Sequence, residues 1–203
     1  MHPPHPDTLD DVLESAWHAL SRGVSDRRHA FHTPTLVTTG MGGNPDARTV
    51  VLRACAPGER VLICHTDVRS PKVKQIASNP RVLWHLYDYK SRVQLRVAAI
   101  ASVLGVDDDP LVREAWGRTS VGSRVCYRGP LPPGEEAPSP VTNTPEIVRE
   151  DTGAGLDRFR VVRTIVTRIE WLRLRHAGHR RALFEWDGAG ALRAPWLAPR
   201  VCA

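Results

Sequence analysis

The sequence predicts a mainly-β domain, an antiparallel barrel of six or more strands with flanking helices. Segments of strand-like alternation recur from Thr35 to Leu197, short turns join the first three, and few stretches have helical spacing. That many antiparallel strands leave long unpaired edges unless the sheet closes on itself, so a barrel is the expected arrangement.

The first element is a helix over residues 8–22: Thr8 caps it, Asp10 and Asp11 sit in its first turn, and Leu9, Leu13, Trp17 and Leu20 repeat at helical spacing. Gly23 is expected to end it. Thr35 to Thr39 reads as a strand, Gly40 to Asp46 as a tight turn, and Ala47 to Arg53 as a second strand. Ala56-Pro57-Gly58-Glu59 turns the chain into a third strand, Arg60 to Thr66. Ser70 and Pro71 mark the start of a short helix that stops at Asn79-Pro80. Arg81 to Asp88 and Arg92 to Leu104 are strands, and Asp107-Asp108-Asp109-Pro110 starts a helix bearing Leu111, Val112, Ala115 and Trp116. Residues 129–144, rich in Pro and Gly without apolar periodicity, are expected to form a mobile loop. Phe159 to Leu174, His179 to Trp186 and Leu192 to Leu197 supply the last strands, so residues 1–203 read as one domain.

The chain has 203 residues, 41% hydrophobic and 25% charged, as in an ordinary globular protein. No apolar run approaches the roughly 20 residues of a membrane span, and the opening Met1-His2-Pro3-Pro4-His5-Pro6 lacks signal-peptide character. The expected compartment is the cytoplasm. Cys55, Cys64, Cys126 and Cys202 are scattered without metal-ligand spacing, so buried free thiols and no metal site are expected. The net charge of +6 is dispersed and accompanies no nucleic-acid motif, which suits an anionic small ligand at least as well as DNA.

Four places carry chemistry. Arg48-Thr49-Val50-Val51-Leu52-Arg53 puts two arginines in a core-like strand, either paired with anions or reaching solvent from its ends. His65-Thr66 and Ser70-Pro71-Lys72 run a strand into a helix start, a phosphate cradle or an ordinary Ser-Pro helix entry. Gln94 brings a donor and an acceptor into an apolar strand, for a ligand edge or for solvent. Trp171 and His179-Arg180-Arg181 offer a ring wall and a cation, or core packing and solvated charge.

In their order and spacing these segments resemble the flavin-binding half of the pyridoxamine 5′-phosphate oxidase superfamily. That family reads Arg-x-Val-Leu-Leu-Lys, Tyr-Thr, Ser-Arg-Lys, Asn-Pro and Arg-Gln-Val. Here the run is Arg48 to Arg53, His65-Thr66, Ser70-Pro71-Lys72, Asn79-Pro80 and Val93-Gln94-Leu95. The resemblance implies an FMN-binding split barrel, with flavin contacts at Arg48, Val50, Val51, Leu52, Arg53, His65, Thr66, Ser70, Lys72 and Gln94. It further implies a homodimer holding the flavin at its interface, with Trp171 and Arg181 contributed by the partner subunit near the ring.

The chain departs from that pattern at Arg53, His65 and Pro71, where the family has Lys, Tyr and Arg. It also reads Ala177-Gly178-His179-Arg180-Arg181 in place of the oxidases' Arg-x-His-Asp-Arg, with Arg118 and Ser123 as loose matches to the central substrate residues. These departures point to the uncharacterised oxidase-like branch rather than to vitamin B6 synthesis. The implied function is a flavin-dependent oxidoreductase of unknown substrate, with His179 on the substrate side. The alternative is a non-catalytic flavin, haem or deazaflavin binder on the same barrel.

Overall fold

A computed structural model describes residues 8–140 and 153–198. The chain opens with α1 (Leu9–Ser25), then β1 (Thr35–Thr39), β2 (Pro45–Thr49), β3 (Ala54–Ala56), β4 (Val61–Asp67) and α2 (Pro71–Ser78). There follow β5 (Arg81–Asp88), β6 (Val93–Leu104), α3 (Pro110–Arg118), α4 (Val121–Arg124), β7 (Phe159–Arg173), β8 (Arg180–Trp186), β9 (Leu192–Arg193) and β10 (Trp196–Leu197).

Every strand pairing is antiparallel, in the order β10-β8-β7-β6-β5-β1-β2, with β4 joining β7 to β3. The expected second strand, Ala47 to Arg53, is in fact a bent segment. Its first part, β2, pairs with β1; residues 50–53 leave the ladder; and β3 then pairs with β4. The bend keeps its backbone bonded: Val50 N–H donates to Pro34 (2.9 Å), Leu52 N–H to His32 (2.9 Å) and Arg53 N–H to Ile63 (2.8 Å). The ring β4-β7-β6-β5-β1 is therefore completed by this crossing segment and not by a continuous ladder, which makes the barrel a split one.

Alternation assigns the two faces. The row Leu36, Trp84, Val97, Ile169 and Phe184 lies across five strands and is wholly buried in the main core. The neighbouring row, His85, Arg96, Glu170 and Leu183, faces the other way. A second cluster packs Val112 and Trp116 of α3 against Val61, Ile63, Phe159 and Val161.

Helix α1 carries the expected cap as a full capping box, with Thr8 and Asp11 exchanging hydrogen bonds of 3.1 and 3.2 Å. Gly23 does not end α1. It lies inside the helix, where a Cβ would stand 2.8 Å from the Phe31 backbone, so glycine is there for close approach. Residues 129–140 have no regular structure, and the rest of the expected 129–144 loop lies outside the described residues. Cys55, Cys64 and Cys126 are free, and Cys202 lies outside the described residues. Among the described residues no helix is long and apolar enough to cross a membrane.

Candidate cofactor site

The site begins where β4 runs into α2. Pro71 at the first helical position fixes the backbone for helix entry and lacks the N–H that would be unsatisfied there. Ser70 is the N-cap residue, yet its hydroxyl makes no bond to the helix backbone. It accepts instead from Lys72 Nζ (2.6 Å), which also donates to Thr66 Oγ1 (3.1 Å). Ser70 and Thr66 are buried, so the ammonium sits in a pocket of hydroxyls. Among the described residues no carboxylate forms an ion pair with Lys72. Burial, followed by the nearby Arg48, lowers its pKa from the ordinary lysine value.

Arg48 approaches from β2 on the inward face, opposite Leu36. Its Nη1 donates to Thr38 Oγ1 (2.7 Å) and to the Leu36 carbonyl (3.2 Å); its Nη2 donates to Gln75 Oε1 (3.0 Å) and pairs with Asp46 (2.7 Å). Thr38 Oγ1 in turn donates to Gln75 Oε1 (2.6 Å), and Gln75 Nε2 donates to Asp46 Oδ2 (2.7 Å). The Gln75 amide, followed in importance by Arg48, holds the Asp46 carboxyl below the usual carboxylate range against an opposing burial effect. Sequence reasoning missed Thr38, Asp46 and Gln75. The helical position of Gln75 on the face that carries Ile76 into the core was the available signal.

A cavity of about 390 Å³ opens on the His65 side of β4, the face opposite Thr66, and Leu52, Arg53, Ile63, His65, Arg118 and Ser123 are among its lining residues. Residues far apart in sequence thus meet: two each from the bent segment and β4, and the loosely matched Arg118 and Ser123 from α3 and α4. Arg53 is exposed, and Arg118 pairs with Glu114. His65 packs edge-on to Phe159 at 4.7 Å, and burial, reinforced by Arg53, lowers its pKa to about 4. The ring is neutral near pH 7, and its Nδ1 is buried without a hydrogen-bond partner. Val50 and Leu52 are core residues and Val51 is half-buried between them.

The remaining expected residues lie on the opposite face of the sheet. Gln94 sits opposite Tyr87 and Leu172, and its Oε1 lies 3.2 Å from His85 Nε2. Arg181, opposite Leu172, holds Glu170 through Nη2 (2.8 Å) and Nε (3.1 Å). Arg96 (3.4 Å) and Arg168 (3.1 Å) pair with the same buried carboxylate. Trp171 is 2% exposed and its ring belongs to the main core. Successive strand residues point to opposite faces, so Leu172 stands where the indole was expected, in one row with Gln94 and Arg181. His179 lies in the β7–β8 connection, where its Nδ1 accepts from the Arg175 N–H (3.2 Å), away from the cradle.

An FMN phosphate suits the cradle. Lys72 has only neutral partners, and the adjacent hydroxyls and helix start are groups that bind phosphate oxygens. Among the described residues no cluster of three or more metal-ligating side chains occurs.

Comparison with known proteins bears on the sequence and the fold. Residues 14–105 match the sequence model of the family described as pyridoxamine 5′-phosphate oxidase, FMN-binding domain. The chain is 27% identical over 126 residues to pyridoxine/pyridoxamine 5′-phosphate oxidase 2 of Arabidopsis thaliana, a match spanning 57% of this chain and 63% of that protein. Among solved structures, a pyridoxamine 5′-phosphate oxidase-related, FMN binding protein from Nostoc punctiforme superposes with a TM-score of 0.76 at 23% identity, covering 92% of this chain and 96% of that one. PhzG from Burkholderia lata, solved with tetrahydrophenazine-1-carboxylic acid, superposes with a TM-score of 0.69 at 18% identity over 98% of this chain and 99% of that one. At those identities the structures speak for the fold alone. Residues 14–105 are thus similar in sequence to that FMN-binding domain family, and the described residues share the split-barrel fold of these structures.

Proposed function

We propose that this protein binds FMN at a homodimer interface and works as a flavin-dependent oxidoreductase on a small anionic substrate. The observation that supports it most is the half-buried Lys72, held by Thr66 and Ser70 hydroxyls with no carboxylate among the described residues in an ion pair with it. A cation kept out of water in this way costs free energy that a bound anion offsets.

In this reading Lys72, Ser70 and Thr66 hold the phosphate, and Arg48 adds positive potential behind it. When bound, the flavin supplies a ring that takes up a hydride equivalent from a substrate. The cavity on the His65 side of β4 receives that substrate, with Arg53 and Arg118 drawing its anionic end and the Ser123 hydroxyl available to it. His65 stays neutral and offers Nδ1 as a buried acceptor, which orients a donor on the ligand and excludes a second anion from that wall.

The homodimer is supported by the placement of the two residue sets. Arg48 and its partners lie on the inward side of the sheet, while Gln94 and Arg181 lie on the outward side. Within one chain these two sets face opposite ways, and a second copy can set its outward face against the first copy's cradle. In this arrangement His179 belongs to the partner's side of the site, next to the substrate. The expected compartment is the cytoplasm.

The test is the visible spectrum of the purified protein, before and after addition of FMN. Bands of bound flavin that are released on denaturation are the expected result. A protein that stays colourless and takes up no FMN would refute the assignment, and a bound flavin that no donor reduces would refute the oxidoreductase part alone.

A further inference from the structure

We infer that Gln75 is a positioning residue for Arg48, and that through it the phosphate end of the site is set independently of the flavin ring. The inference rests on the proposed FMN cradle and extends it to a side chain outside the cradle.

The side-chain amide of Gln75, on α2, is 6% exposed and every bond it makes goes to a residue that fixes Arg48. Its carbonyl oxygen accepts from Arg48 Nη2 at 3.0 Å and from Thr38 Oγ1 at 2.6 Å. Thr38 Oγ1 accepts from Arg48 Nη1 at 2.7 Å, so Arg48, Thr38 and Gln75 form a closed three-membered ring of hydrogen bonds. The Gln75 amide nitrogen donates to Asp46 at 2.7 Å, and that same carboxylate holds Arg48 Nη2 at 2.7 Å.

Only an amide fits this set of partners. It must accept from a guanidinium and a hydroxyl on one side and donate to a carboxylate on the other. A carboxylate at this position would repel Asp46, and an ammonium would repel Arg48. The ring spans β1, β2 and α2, and α2 is the helix whose first turn carries Lys72. Gln75 therefore ties the guanidinium to the same rigid element that carries the ammonium, which keeps the two cations at a constant separation. Four of the five Arg48 N–H groups are committed to this frame, so Arg48 acts on an anion through its fixed charge and its remaining Nε–H.

FMN and riboflavin share the ring and the ribityl chain and differ in the phosphate. They therefore separate a role at the phosphate from a general effect on folding. Wild type, Gln75→Leu and Gln75→Glu are titrated with each flavin, and flavin fluorescence is followed in each case. Both variants are expected to bind FMN about tenfold more weakly, the scale of one lost charge-assisted hydrogen bond, with riboflavin affinity changed less than about twofold. Gln75→Glu keeps the acceptor atoms and the volume, so it reports on the site even where Gln75→Leu loosens the helix. If wild type prefers FMN over riboflavin and both variants keep that preference in full, the positioning role is overturned while the cradle stands. If wild type itself shows no preference for FMN, the cradle reading and the positioning role fall together.

Discussion

The two faces of the sheet treat positive charge in opposite ways. On the inward side Lys72 is half-buried and, among the described residues, donates only to the hydroxyls of Ser70 and Thr66. On the outward side three arginines, Arg96, Arg168 and Arg181, converge on the single buried carboxylate of Glu170. Arg48 stands between these cases, its charge answered by Asp46 but on the cradle side of the sheet. The difference separates a cation whose countercharge is internal from one that, in the proposed reading, takes its countercharge from a ligand. Removing the first kind of pairing should damage the fold, and removing the second kind of cation should damage binding.

The largest expected effect is on the outward face. Glu170→Leu leaves Arg181 almost buried without its carboxylate and should lower unfolding free energy by about 3 kcal/mol, measured by urea denaturation. A loss below about 1 kcal/mol would show that the arginines are solvated, and the contrast between the faces would fail.

A comparable effect belongs to the cavity wall. His65 titrates at about 4 in the folded protein against 6.5 ordinarily, so below pH 6.5 the unfolded chain takes up a proton that the folded chain refuses. Stability is therefore lost as pH falls from 6.5 towards 4, by about 3 kcal/mol for this shift. His65→Phe should remove that part of the acid limb, seen as a smaller drop in denaturation midpoint between those pH values. An unchanged acid limb would mean that His65 is hydrated in the native state.

Lys72→Met sharpens the comparison most directly. It should weaken FMN about thirtyfold, close to 2 kcal/mol, while leaving stability without ligand unchanged or higher, because an unneutralised buried cation is gone. A fall in stability instead would place Lys72 with the structural cations of the other face.

The smallest effect concerns Arg69, which sits beside the cradle and yet behaves like the outward arginines. It pairs with Asp67 at 2.7 Å and donates to the Gly129 carbonyl at 2.9 Å, which Arg158 also holds at 2.9 Å. Arg69→Ala should speed proteolytic cleavage within residues 129–140 about fivefold, the scale of 1 kcal/mol of local opening, with FMN affinity unaltered. Weakened FMN binding would instead make Arg69 part of the cradle.

Much of this contrast was legible along the chain. Ser70-Pro71 announced α2, the alternation of β5 and β6 gave their bounds within one residue, and Arg48, Thr66, Ser70 and Lys72 were readable as a group from their order. Gln75, Asp46 and Thr38 were not, because each is an ordinary polar residue until three elements meet. The core position of Trp171 was not legible for a related reason: a strand's face depends on register, and one residue exchanges the core for the opposite surface. The irregularity in β6–β7 pairing at Ala98 and Ala99 lies within that same ladder, where simple counting along β7 loses the face.

What the sequence determined by itself was local: which segments extend, where helices begin, and that the chemistry gathers around a strand-to-helix junction. Propensity, capping and period two act over a few residues, so a single chain read in order reveals them. Only the tertiary structure decided how residues 45–56 bend to complete the barrel, that Arg118 and Ser123 share a cavity with His65, and which cations are neutralised. Those outcomes depend on contacts between distant parts of the chain, where burial and the placement of one carboxylate decide whether a charge is structural or left for a ligand.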